Sequence, residues 1–192
     1  MSALFVSLAL LLSNASEEIC LFTLDCDDCN LRPLFAIAPY KIDFFGRILN
    51  DPNSGSYRIC RTYVVLEWAK IDHKQFLPAA LRDVLHKNPN VRRKAVQYIG
   101  IAGSGSETGL LMMMLADPKP EVVVASWTAL RKIGDDRTVV ALNLWLKYNP
   151  EPKDHPKDKN SMQKVLTKVR DDIQIRLDAA KKAPPAEPTP KK

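Results

Sequence analysis

Between Asn88 and Tyr148 the apolar positions recur at helical spacing in four short runs, and the last two runs repeat the first two. Val91, Ala95, Ile99 and Gly103 map onto Val122, Ser126, Leu130 and Gly134 at a constant offset of 31 residues. The same offset carries Leu110-Leu111 and Met114-Leu115 onto Ala141-Leu142 and Trp145-Leu146. A period of this size, filled by two short amphipathic segments, describes a helical unit that buries its apolar face by stacking on its neighbours. The pattern predicts helix pairs over about 90–102 and 106–116, and over about 120–132 and 136–148.

The pattern weakens outward in both directions. Phe44, Phe45, Ile48 and Leu49 predict a helix over Tyr40–Asn50, the second half of a pair whose first half is altered. Ile59, Tyr63, Val64 and Trp68 support a helix from Tyr57 to about Ile71, followed by one carrying Phe76, Leu77, Leu81 and Leu85. Asp72-x-x-Gln75 and Asn160-x-x-Gln163 fit capping boxes. Asp51-Pro52, Asn88-Pro89 and Asp117-Pro118 each close one helix ahead of the next, because proline cannot continue the old helix but opens a new one. Gly103 and Gly134 occupy matching turns and are expected in the left-handed conformation that commonly ends a helix. Met162, Val165, Leu166, Val169, Ile173 and Leu177 form one stripe of a terminal helix over 161–181. Capping the stack is the expected role of that helix, with partner binding or, less favoured by the mixed charges of its polar face, a membrane-surface role as the alternatives.

Two stretches, Asn88-Pro-Asn-Val-Arg-Arg-Lys-Ala95…Ile99-Gly…Gly103 and Asp117-Pro…Val122…Ser126…Ala129-Leu130…Ile133-Gly134-Asp135, resemble the short bacterial HEAT-like repeat of phycobilisome-lyase-type proteins. The resemblance implies an all-α fold, a right-handed α-solenoid of helix pairs with the first helices on its outer face and the second helices lining its inner one, which the C-terminal capping helix read above would close. It also implies a protein-binding scaffold, with an enzyme accessory binding a tetrapyrrole as the alternative. Val123 stands where the repeat usually has Arg, so an Asp–Arg ladder is not expected to run along the stack.

Aligning Leu81/Leu85, Leu111/Leu115 and Leu142/Leu146 as buried pairs places Arg82, Met112 and Asn143 in one outward row and His86, Ala116 and Lys147 in another. Met113 joins them because Leu110–Leu115 is apolar on every side. Arg82, His86, Met112, Met113, Asn143 and Lys147 are therefore the candidate partner-binding residues, with core packing the competing account of the two methionines.

Composition adds polarity. The chain of 192 residues carries a net charge of +6, yet up to Ser56 only Arg32, Lys41 and Arg47 face seven acids. A weak nucleic-acid interaction through Arg92, Arg93, Lys94 and the terminal helix is thus a third, less favoured reading. Ala3–Leu12 followed by Ser13-Asn14-Ala15 has the length and small residues of a cleavable export signal over 1–15, although no Lys or Arg precedes it. It is too short for a membrane anchor, and a periplasmic or extracellular location is expected. Cytoplasmic residence follows if the segment is not a signal. Residues 16–39 form a cysteine-containing extension, 40–148 the repeats, 149–160 a Pro-rich connector and 182–192 a Lys/Pro/Ala tail.

Cys20, Cys26, Cys29 and Cys60 are an even set, for which two disulfides are the default in an oxidising compartment. The Cys26-x-x-Cys29 pair leaves zinc and redox readings open. His73, His86 and His155 are isolated, no phosphate-binding glycine loop occurs, and no catalytic constellation, metal set or cofactor motif is found.

Overall fold

A computed structural model describes Cys20, Thr23, Leu24 and residues 30–71, 74–150 and 161–182. The export segment, Cys26, Cys29, Asp72, His73, His155, Asn160, most of the connector and nearly all of the tail lie outside the described residues. Within those residues every regular element is helical. The helices are α1 (Arg32–Ile37), α2 (Ile42–Asn50), α3 (Ser56–Trp68), α4 (Leu77–Asp83), α5 (Pro89–Ala102), α6 (Thr108–Met114), α7 (Pro120–Ile133), α8 (Asp136–Tyr148) and α9 (Met162–Lys182). α1 was not foreseen in the extension.

The 31-residue period reappears in the boundaries. α5 and α7 both open on a proline whose missing N–H costs nothing there, Pro89 and Pro120, and close at Ala102 and Ile133. Short 3-10 turns at Lys74–Phe76 and Gly105–Glu107 lead into α4 and α6. Each of those helices is shorter than the sequence pattern implies. Capping boxes at Ser104/Glu107 and Asp135/Thr138 satisfy orphan N–H groups ahead of α6 and α8.

The long helices α3, α5 and α7 pack in series, and each short helix lies against the long helix that follows it, α4 on α5 and α6 on α7. α9 continues the series by packing on both α7 and α8. Its buried Leu166, Val169 and Ile173 therefore occupy the place that the next long helix would take. Arg131 Nε lies 2.8 Å from Asp172 Oδ2, and Arg176 donates to the Gly134 carbonyl, fastening α9 to α7.

Gly103 and Gly134 correct an expectation. Neither has positive φ; their φ values are −82° and −58°. Close approach explains both, since a Cβ would sit 2.5 Å from the Ile99 carbonyl at Gly103, and 2.6 Å from that of Leu130 at Gly134. Among the described residues the left-handed one is instead Lys70, with φ 55°, at the end of α3. There Ile71 N–H reaches back to the Leu66 carbonyl at 2.9 Å, and Ile71 is buried, as in a glycine-type helix terminus. Lys70→Gly relieves the Cβ penalty of that conformation, and we expect it to raise stability by about 1 kcal/mol in chemical denaturation.

Candidate interaction face

Polar side chains buried between helices set the orientation of the short helices. Tyr63 Oη donates to Asp83 Oδ2 at 2.9 Å, and Asp83 also accepts from Arg82 Nε at 2.9 Å. Burial, followed by the Asp83 charge, pushes the Tyr63 hydroxyl far above its ordinary pKa, so it stays a donor. Arg82 reaches the Leu49 carbonyl at 2.5 Å, which ties α2 to α4. Because Asp83 is drawn inward, to 3% exposure, α4 is turned by one residue from the expected register. Ala80 and Val84 are buried while Leu85 is 73% exposed, so the expected burial of Leu85 is corrected.

With that rotation the residues 31 apart coincide. Ala80, Leu111 and Leu142 are all fully buried. Three exposed stripes follow at spacings of three, four and three residues. They are Gln75, Pro78, Arg82 and Leu85 at α4; Ser106, Gly109, Met113 and Ala116 at α6; and Arg137, Val140, Leu144 and Lys147 on α8. All twelve positions are exposed, and each stripe is one face of a helical turn. Leu85, Met113, Val140 and Leu144 are 73, 64, 58 and 50% exposed, four of the ten large apolar side chains exposed among the described residues; Trp68, Tyr148 and Ile175 are among the others.

The expected candidate residues separate accordingly. Arg82, Met113 and Lys147 stand on the exposed face, whereas Arg82 aligns with Met113 and Leu144, not with Met112 and Asn143. Met112 is partly buried against the core. Asn143 turns toward α9, accepting from Arg170 at 3.2 Å. His86 aligns with Asp117, and its Nδ1 accepts the Asn88 N–H at 3.0 Å. Lys147 Nζ rests 5.4 Å from the centre of the exposed Tyr148 ring. Leu85, Val140 and Leu144 were missed, although the 31-residue offset from the correct register would have found them.

One rung of the Asp–Arg type is present. Arg92 bonds twice to Asp117, Nε to Oδ2 at 2.7 Å and Nη2 to Oδ1 at 2.9 Å, and Nη1 donates to the His86 carbonyl at 2.9 Å. The Arg92 hydrogen bonds hold the Asp117 carboxyl below the usual range. The matching position of the next copy, Val123, is buried and apolar, so the ladder stops after this rung.

Cys20 is buried and Cys60 half-buried, with no disulfide between these two cysteines. Burial pushes the Cys60 thiol up despite the nearby Arg93 and Lys94 charges, which disfavours a reactive thiolate. Among the described residues no cluster of three metal-ligating side chains occurs, and no helix is long and apolar enough to cross a membrane. No family model matches the chain, and the searches of curated proteins and solved structures return no significant match either.

Proposed function

We propose that the chain is an exported, HEAT-like right-handed α-solenoid that acts as a protein-binding scaffold, and that its partner docks on the exposed stripes of the short second helices. The observation that carries this reading is the repetition of one exposed face three times at a 31-residue spacing, with Leu85, Met113, Val140 and Leu144 standing out from it. Large apolar side chains at equivalent positions of stacked units form an extended surface, the use to which repeat proteins commonly put their second helices. The buried ion pairs and caps are spent on holding the helices in register, so the face is preformed and binding requires little ordering.

A photocrosslinking residue at position 113 tests the reading in cells. Covalent adducts are expected from Met113, and none from the same probe at Thr128, which is exposed on α7 away from the stripes. Adducts from position 128 alone would reject the assignment.

A further inference from the structure

Resting on that reading, we infer that the exposed face of the second helices takes an acidic amphipathic segment of a partner protein. The twelve stripe positions hold three bases, Arg82, Arg137 and Lys147, and no acid. The units do not lack acids: five of the six carboxylates between Lys74 and Tyr148 are engaged elsewhere, and the sixth, Glu121, lies on the exposed side of α7. Asp83 is buried against Tyr63 and Arg82, and Asp117 against Arg92. Glu107 and Asp135 serve capping boxes. Asp136 is exposed, but Lys181 of α9 lies 3.3 Å from it.

Arg82 is compensated by Asp83, so the positive potential is concentrated on α8, where Arg137 and Lys147 bracket Val140 and Leu144. The other surfaces differ. The exposed side of α7 mixes Glu121 with Arg131 and Lys132, and that of α9 mixes Lys164 and Lys168 with Asp171 and Asp178.

Charge complementarity selects among occupants. A second copy docked face to face sets bases against bases on a chain that already carries a net charge of +6. An acidic amphipathic segment meets both features at once, apolar side chains over Met113 and Leu144 and carboxylates over Arg137 and Lys147. Helices packed side by side stand roughly 10 Å apart, so three stripes repeated at that spacing would span about 20 Å, the length of a helix of about 14 residues.

The test uses the full chain and two designed amphipathic peptides of that length, identical in apolar stripe, one flanked by Glu and its twin by Lys. Fluorescence anisotropy is expected to show binding of the Glu peptide about tenfold or more tighter than its twin, weakening as salt is raised. Arg137→Glu/Lys147→Glu should reverse the preference, and Leu144→Asp should abolish binding of the Glu peptide; unchanged thermal midpoints establish that these variants fold. Equal affinity for the two peptides, or Glu-peptide binding untouched by the double reversal, overturns the inference. So does retention on phosphatidylserine vesicles with no binding of either peptide, or sedimentation as a dimer that Met113→Lys dissociates. If Met113 crosslinks to a partner while the peptides show no charge preference, the scaffold reading stands and the acidic partner falls; absence of both signals removes both.

Discussion

Gly100→Val is expected to destabilise the protein by about 3 kcal/mol, a fall in Tm of about 10 °C. Gly100 is buried in the last turn of α5, where α5 packs against α7. A Cβ there would lie 2.8 Å from the Ala129 Cβ and 2.9 Å from the Ala129 α-carbon, inside van der Waals separation, and the second of these obstacles is backbone that cannot turn aside. The helices must separate, opening the core around the fully buried Ile99 and Leu130. Even Gly100→Ala should be destabilising, although at an unobstructed helical site the same change gains up to about 1 kcal/mol from reduced backbone entropy. Gly109 in α6 supplies that comparison, because nothing lies within 4 Å of a Cβ there and Gly109→Ala should be neutral or stabilising. Ala129→Gly should relieve Gly100→Ala only in part, since it leaves the Ala129 backbone in the way. A double-mutant cycle by urea denaturation measures this coupling, which we expect to be on the order of 1 kcal/mol.

Arg92→Met should cost a similar amount, on the order of 3 kcal/mol, because it strands a carboxylate whose side chain is 4% exposed. Asp117 would keep the Lys119 N–H at 2.9 Å but lose both guanidinium bonds, and the His86 carbonyl would lose its donor. The pH dependence has a definite sign. Asp117 has a depressed pKa in the folded state, so the ion pair stabilises fully above the ordinary carboxylate value of about 3.9. That contribution declines as the pH drops below this value and is gone once the folded carboxyl has taken its proton. The stability difference between wild type and Arg92→Met, followed by urea denaturation at successive pH values, should therefore be constant near neutrality and shrink under acid. A difference that grows on acidification contradicts the assigned role of Asp117.

The helices and their 31-residue spacing were legible in the sequence because the apolar periodicity of α5 and α7 is strong and proline marks both starts. The face was legible only in part. Ala80, Leu81, Val84 and Leu85 offer two apolar registers, and side-chain size favours the one with Leu81 and Leu85 buried. The structure adopts the other because Tyr63, 20 residues away, holds Asp83 inside, a long-range hydrogen bond that local pattern does not encode. The same cause shifted Arg82 relative to Met112 and concealed Leu85. The glycines teach a related lesson: at Gly103 and Gly134 the requirement is space beside a carbonyl, or beside Ile173 of a distant helix, and composition alone does not distinguish that from a left-handed turn.

The claim that the stripes are the recognition surface is tested most directly by the methionine methyl groups. With 13C-methyl methionine, titration of the Glu-flanked peptide should shift the exposed Met113 methyl strongly and leave Met162 on α9 in place. A saturating titration in which Met162 moves and Met113 does not, or in which no methionine methyl moves, would contradict the account.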